Sequence, residues 1–466
     1  MNKRVIAGFL SFAMLATVQT ISANAAVKAG ATCKTKGQVK TVSNLKYSCI
    51  KFGNKLVWNL GESGLSPNDK KTSSTKPNEF SLPIAYEPPS EPSDNINSCK
   101  INELSNRRGF TWAGFPLKTA LTKNFGTVKW ALIPIDFKNL PGEKDFRARI
   151  NRDMKLVSDW FEIASEGKFK VEWVVAEKWT TLPGVSSDYQ LIKTRGVNNT
   201  QGGIKLFRAA MTAADPNFDF TNVQTVNFIL PANQEIASEG EQGFPWDQHV
   251  KDYVTNEGPI SSFTTAGKFQ TMNKKSLWNY WIHEFGHAIG LPHVGGNGPE
   301  RSPFHDWDIL GDQDGTSREL SGWLRFLAGW LAEEKIYCKD VKNVDQIEIT
   351  LVPLGIGSPG IKMAIFPLSS TKAVIVESRR ETKFSCTTSR NGVLVYLLDL
   401  TLGHGQDFLV PISAKNRSLK EKATCSGVLS DLTSDPLLRL GDKVKIEGVA
   451  IEVLESKNMD RIRISK

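Results

Sequence analysis

The chain has 466 residues, 40% hydrophobic and 23% charged, which suits a soluble globular protein with two or three domains and a sizeable core. A net charge of +9 favours anionic partners such as a cell wall. The basic residues are spread along the chain, with no run interleaved with aromatics, so no nucleic-acid partner is expected.

In chain order, Lys3 and Arg4 precede a short apolar run, Val5 to Val18, and the small-x-small triplet Ala23-Asn24-Ala25. That pattern predicts an export signal over residues 1–25. The apolar run is too short for a membrane span and no later stretch is long enough, so the expected product is secreted, extracellular and without a span in its mature form. Six cysteines, an even number, suit disulfides in an exported chain. Proximity pairs Cys33 with Cys49 and Cys386 with Cys425.

Residues 26–60 carry three short β-type runs and read as a small module pinned by the Cys33–Cys49 disulfide. Tyr47 and Trp58 leave open a polymer-binding role for it. Residues 61–98 hold six prolines among Ser, Lys, Asn and Glu and read as a linker that buries too little to order itself.

A domain over residues 99–335 follows. Val128–Phe137 predicts a buried strand, and Asp145–Ser165 an amphipathic helix with Ile150, Met154, Val157 and Phe161 on one stripe, ended by Gly167. Lys168–Ala176 is a second strand, Ile204–Ala214 a helix and Gln224–Leu230 a third strand. Pro231–Lys275 reads as a long loop framing a cleft. Leu320–Leu331 reads as an apolar helix. Residues 336–466 turn to short β runs at regular spacing, expected to form a β-sandwich-like C-terminal domain. The fold class expected is α+β.

Between the loop and the apolar helix lies Trp278–His293, WNYWIHEFGHAIGLPH, holding His283, Glu284, His287, Gly290 and His293 as H-E-x-x-H-x-x-G-x-x-H. Residues four apart share a helix face, so His283 and His287 aim two imidazoles at one place. Gly290 can adopt positive φ and turn the chain back, bringing His293 as a third nitrogen. Three nitrogens with an open fourth position describe a catalytic Zn2+ site. Such a zinc polarises a carbonyl and acidifies a water, with Glu284 placed as general base. A bare H-E-x-x-H arises by chance in about one chain in a hundred, and the added Gly and His lower this by about three orders of magnitude. Trp278, Ile282, Phe285 and Ile289 supply the buried stripe such a helix needs.

HEFGHAIGLPH resembles the metzincin class of zinc peptidases, and the wider pattern is similar to secreted bacterial metallopeptidases of the immune inhibitor A type. The likeness runs from about Val128 to Asp399, through ALIPIDF, WFEIASEGKFKV, Trp307-Asp308-Ile309-Leu310, LSGWLRFLAGW, KAVIVESRR and NGVLVYLLD. It implies a metzincin-like domain with a twisted mixed sheet and an active-site helix. It also implies His283, His287 and His293 as zinc ligands and Glu284 as general base. The methionine under the zinc is replaced here by Leu310, and the tyrosine two residues beyond by Asp312, so the resemblance names no oxyanion stabiliser. His305 and Asp308 stay open as alternative ligands.

Weaker signals complete the reading. Asp306, Asp308, Asp312 and Asp314 are candidates for Ca2+, although their spacing is not that of an EF-hand. Cys99 is a disulfide cysteine or a latency thiol. Gly355–Gly360 fits G-x-G-x-x-G but precedes a strand and reads as a turn. His249 and His404 have no partner pattern and read as surface residues. The expected function is a secreted zinc endopeptidase acting on a protein or peptide substrate. The alternative is a catalytically inactive peptidase-like protein that binds cell-wall or host polymers.

Overall fold

The computed structural model describes residues 32–42, 45–52, 55–60, 86–106, 111–117, 122–189, 200–234, 241–243, 254–266, 277–296, 302–385, 391–414, 422–425, 428–431 and 435–466. The expected export signal, the first part of the expected linker, His249 and Cys386 lie outside them, so the Cys386–Cys425 pair does too. The chain forms two compact units, Met1–Phe80 and Ser81–Lys466.

In the first unit, β1 (Val39–Val42), β2 (Leu45–Phe52) and β3 (Lys55–Leu60) make an antiparallel meander. The Cys33–Cys49 disulfide closes it, as the spacing predicts. Cys49 lies opposite Trp58, and both are buried, so Trp58 is not an exposed polymer-binding aromatic.

The second unit is mixed α/β, with several sheets and few helices among the described residues. Its first sheet is built on β4 (Gly126–Phe137), followed by α1 (Phe146–Ala164), β5 (Phe169–Val175), β6 (Thr180–Leu182), α2 (Thr200–Ala214), β7 (Val223–Ile229) and β8 (Glu241–Gly243). A short hairpin, β9 (Val254–Thr255) and β10 (Gly258–Pro259), leads to β11 (Ser262–Ala266). The order is β5-β4-β7-β11-β8, with β6 also on β4; all pairs are parallel except β8 with β11.

Alternation explains how β4 reads as an unbroken apolar run. Val128, Trp130 and Leu132 enter one core with α1, while Ala131, Ile133, Ile135 and Phe137 enter a second core with α2. Asp145 caps α1 by accepting the Ala148 amide at 3.0 Å. β11 lies within the stretch read as a loop. Its sequence, SFTTA, is short and polar, and its neighbours answer it: Thr264 donates to Asn227 Oδ1 at 2.7 Å, and the Ser262 and Thr225 hydroxyls pair at 2.9 Å.

Two further helices follow: α3 (Leu277–Ala288), which carries the histidine motif, and α4 (Gly322–Leu327). α4 is shorter than its apolar sequence suggests. Ser321 caps it, and Gly329, at φ 76°, turns the chain away before Trp330.

The remaining strands are β12 (Ile336–Cys338), β13 (Gln346–Leu351), β14 (Met363–Pro367), β15 (Lys372–Arg379), β16 (Gly392–Asp399), β17 (Leu409–Pro411), β18 (Lys422–Cys425), β19 (Val428–Asp431), β20 (Lys443–Ile446), β21 (Val449–Ser456) and β22 (Asp460–Ser465). They include a five-stranded sheet, β12-β14-β15-β16-β17, and a four-stranded sheet, β13-β22-β21-β20. The two face each other across a shared core containing Ala364, Phe366, Val374, Val376, Ile451 and Ile462. The alternate residues Met363, Ile365, Ile375, Leu394 and Tyr396 enter the core that also holds α1 and α3. The expected boundary near residue 335 therefore falls inside one compact unit whose main core draws on both sides of it.

Residues 86–98, counted by composition as linker, are bonded to the sheets. The Ser90 amide donates to Glu348 O on edge strand β13, and the Asp94 amide to Cys338 O on edge strand β12, at 3.0 and 2.7 Å. Prolines suit a segment that covers sheet edges without extending them. A buried Cys99–Cys338 disulfide fastens this segment, so Cys99 is a disulfide cysteine. The bond joins positions 239 residues apart. By loop entropy, Cys99→Ser with Cys338→Ser should cost about 5 kcal/mol, against about 2–5 typical of native bridges. A urea midpoint unchanged from wild type would contradict this.

Candidate metal centre

α3 is held by its apolar face. Trp278, Ile282, Phe285 and Ile289 are all buried. Phe285 packs on Trp130 and Phe169, with ring centroids 4.8 and 5.3 Å away, and Trp281 on Trp173 at 5.2 Å. The helix ends in a Schellman turn, with the Leu291 amide donating to Gly286 O at 3.0 Å and the Gly290 amide to His287 O at 2.9 Å. Gly290 sits at φ 96°, a conformation that costs a residue with a Cβ about 1–2 kcal/mol. The turn reverses the chain and returns His293 to the helix face bearing His283 and His287.

The three imidazoles meet. His287 Nε2 lies 3.2 Å from His283 Nε2 and 3.1 Å from His293 Nε2. On the far side of each ring a carbonyl accepts from Nδ1: Ile309 O for His283 at 2.7 Å, Leu291 O for His287 at 2.9 Å and Leu310 O for His293 at 3.2 Å. Carbonyls only accept, so the Nδ1 atoms carry the protons and the Nε2 atoms present lone pairs. Burial, followed by the neighbouring imidazoles, pushes His287 well below the usual histidine range and His293 down to about 3, and burial also lowers His283. The rings are therefore neutral at ordinary pH.

Three lone pairs facing one another repel unless a cation lies between them, so the donor set fits a metal ion. Two nitrogens bound to a tetrahedral zinc at its usual bond length stand about 3.3 Å apart, close to the separations here. Among the described residues, this trio is the group of His, Cys, Asp or Glu side chains whose ligand atoms gather within 4.8 Å of one another. His305 and Asp308 are not in it.

Asp308 has a different task. It is buried, and its Oδ1 and Oδ2 accept the amides of Leu310 and Ser321, each at 2.8 Å. Burial pushes its carboxyl up to about 6 against the pull of those amides. The carboxylate thus braces the loop whose Ile309 and Leu310 carbonyls orient two of the histidines. Leu310 lies over Gly286, one turn along α3 from His283; a Cβ there would meet Leu310 Cδ2 at 2.6 Å. Two of the aspartates considered for Ca2+ are engaged elsewhere: Asp312 accepts the Asp314 amide at 2.8 Å, and Asp314 accepts from Asn279 on α3 at 3.2 Å. Asp308→Asn turns an N–H against one of its two amides, so metal affinity should fall about 10–100-fold. Chelator competition measures this, and wild-type affinity would refute the bracing role.

Glu284 follows the first histidine on α3 and, like His293, is half-buried. Sequence reasoning missed His404. It stands on the turn after β16, and its ring centroid is 5.3 Å from that of His293 and 6.0 Å from that of His287. No local spacing announces it, because the chain returns to the site from 111 residues further on.

The chain matches no known family description and no curated protein sequence. Two crystal structures of wild-type OgpA from Akkermansia muciniphila are similar over 64% of this chain and 86% and 88% of theirs. Their identities are 10% and 12% and their TM-scores 0.26 and 0.25, a level of likeness on which no assignment of fold or activity rests.

Proposed function

We propose that the chain is a secreted, metzincin-type zinc endopeptidase that hydrolyses peptide bonds in a protein or peptide substrate. The observation that carries the reading is the convergence of the His283, His287 and His293 Nε2 atoms, 3.1–3.2 Å apart, with Glu284 on the same helix. A zinc ion held by these three nitrogens supplies Lewis acidity toward the scissile carbonyl and toward water. The carbonyls of Ile309, Leu291 and Leu310 fix the three rings with their lone pairs inward. Glu284 accepts a proton from the attacking water and delivers it to the leaving amine nitrogen. The export-type N-terminus supports a secreted product, and the net charge of +9 suits retention at an anionic wall.

The test is proteolysis of casein by the purified protein, with and without a chelator and with zinc restored. The reading expects cleavage that chelation abolishes and zinc recovers. Zinc retained with no cleavage would favour the polymer-binding alternative.

A further inference from the structure

The chain's whole net charge lies in its first 60 residues. They hold nine lysines and arginines and no acidic residue, whereas the 49 acidic residues further on are balanced by as many basic ones. Lys3 and Arg4 belong to the expected export signal. The other seven, all lysines, fall between Lys28 and Lys55, in the small module closed by the Cys33–Cys49 disulfide. We propose that this module binds a phosphodiester-linked polymer of the cell wall. The proposal stands whether or not the chain cleaves peptides, because no part of it passes through the metal centre.

Lys34, Lys36 and Lys40 are exposed. The first two ride on a turn that is fastened at several points. The Cys33 amide donates to Leu56 O at 3.0 Å, and the Gly37 amide to Cys49 O and the Cys49 amide to Gln38 O at 2.8 Å. Gly37, at φ 84°, makes the turn. These charges therefore stand on backbone that binding does not have to order. With no carboxylate between residues 1 and 60, the fields of neighbouring lysines add within the module instead of cancelling.

The chemistry of the partner follows from the residue types. Trp58 is buried, so it offers no platform on which a neutral sugar ring could stack, and charge is the recognition element. Lysine meets phosphate as a point charge, whereas the arginine fork selects a planar oxyanion in one geometry. Seven lysines without an arginine suit a flexible chain of repeated phosphates, read by charge and not by shape. The module is a β meander rather than a basic amphipathic helix, which argues against a lipid surface. The export-type pattern directly before it points to a polymer outside the cell rather than to nucleic acid.

The experiment measures binding of the full chain to poly(glycerol phosphate), with single-stranded DNA, phosphatidylglycerol vesicles and neutral dextran as comparisons. One variant carries Lys34→Gln, Lys36→Gln and Lys40→Gln. A second carries Arg at the same three positions. A third carries Lys138→Gln, Lys144→Gln and Lys178→Gln, which removes as much charge from exposed sites in the second unit. Wild type should bind poly(glycerol phosphate) in about 0.1 M salt and release it in about 1 M, where the screening length falls from about 10 to about 3 Å. At about fivefold per lysine, the first variant should bind about 100-fold more weakly. The second and third should bind as wild type does. Absence of wild-type binding, an unweakened first variant or an equally weakened third would overturn the proposal. So would tighter binding to DNA or to the vesicles at equal phosphate, or equal binding to dextran.

Discussion

Glu284→Gln should lower kcat by about 10²–10⁴-fold, the usual contribution of a positioned general base, while zinc content stays at the wild-type level. Glutamine keeps the length and the hydrogen-bonding oxygen but cannot take a proton. Glu284 sits outside the trio of converging nitrogens, so the ligand set is intact in the variant. The discriminating pattern is therefore a kcat loss with an unchanged KM and unchanged metal. Kinetics on one peptide together with elemental analysis measure it. Wild-type turnover in Glu284→Gln would remove the proposed base, whatever the site binds.

His287→Ala should abolish both metal binding and activity. His287 is the middle of the trio, within 3.2 Å of both other Nε2 atoms, so its loss leaves two nitrogens that cannot hold a tetrahedral ion alone. It also strips the Leu291 carbonyl of its partner in the turn that returns His293. An unsatisfied buried carbonyl costs about 1–3 kcal/mol, so the metal-free variant should be less stable than metal-free wild type. The sharper readout is linkage. Free zinc at one hundred times its Kd should stabilise wild type by about 2.7 kcal/mol and the variant not at all. Equal zinc-induced shifts in melting temperature would contradict three-histidine ligation.

What could be read in advance was mostly local. The Trp278–Ile289 stripe, the four-residue histidine spacing and the positive φ of Gly290 lie within one helix and its cap, where periodicity and backbone sterics act over a few residues. The apolar runs of β4, β14, β15 and β16 announced strands for the same reason. Their partners were not legible. Continuous apolar sequence shows that both faces of a strand are buried but not against what, and here the five-stranded sheet serves two cores. β11 escaped because its residues are polar and answered by polar neighbours. The ordering of residues 86–98 escaped because composition weighs buried area and not the hydrogen bonds a proline-rich segment makes at sheet edges. Cys99 with Cys338 and His293 with His404 are long-range meetings, 239 and 111 residues apart, that only the packed unit creates. The same limit left Asp308 among the candidate ligands, although its two carboxylate oxygens are engaged by backbone amides.

The proposed function stands on His283, His287 and His293 forming one zinc site. Elemental analysis of the purified wild-type chain, beside His287→Ala and Glu284→Gln, tests it most directly. Three-histidine ligation predicts one zinc per chain in wild type and in Glu284→Gln, and none in His287→Ala. Wild-type chain that retains no zinc after purification in its presence, or His287→Ala that retains as much as wild type, would contradict it.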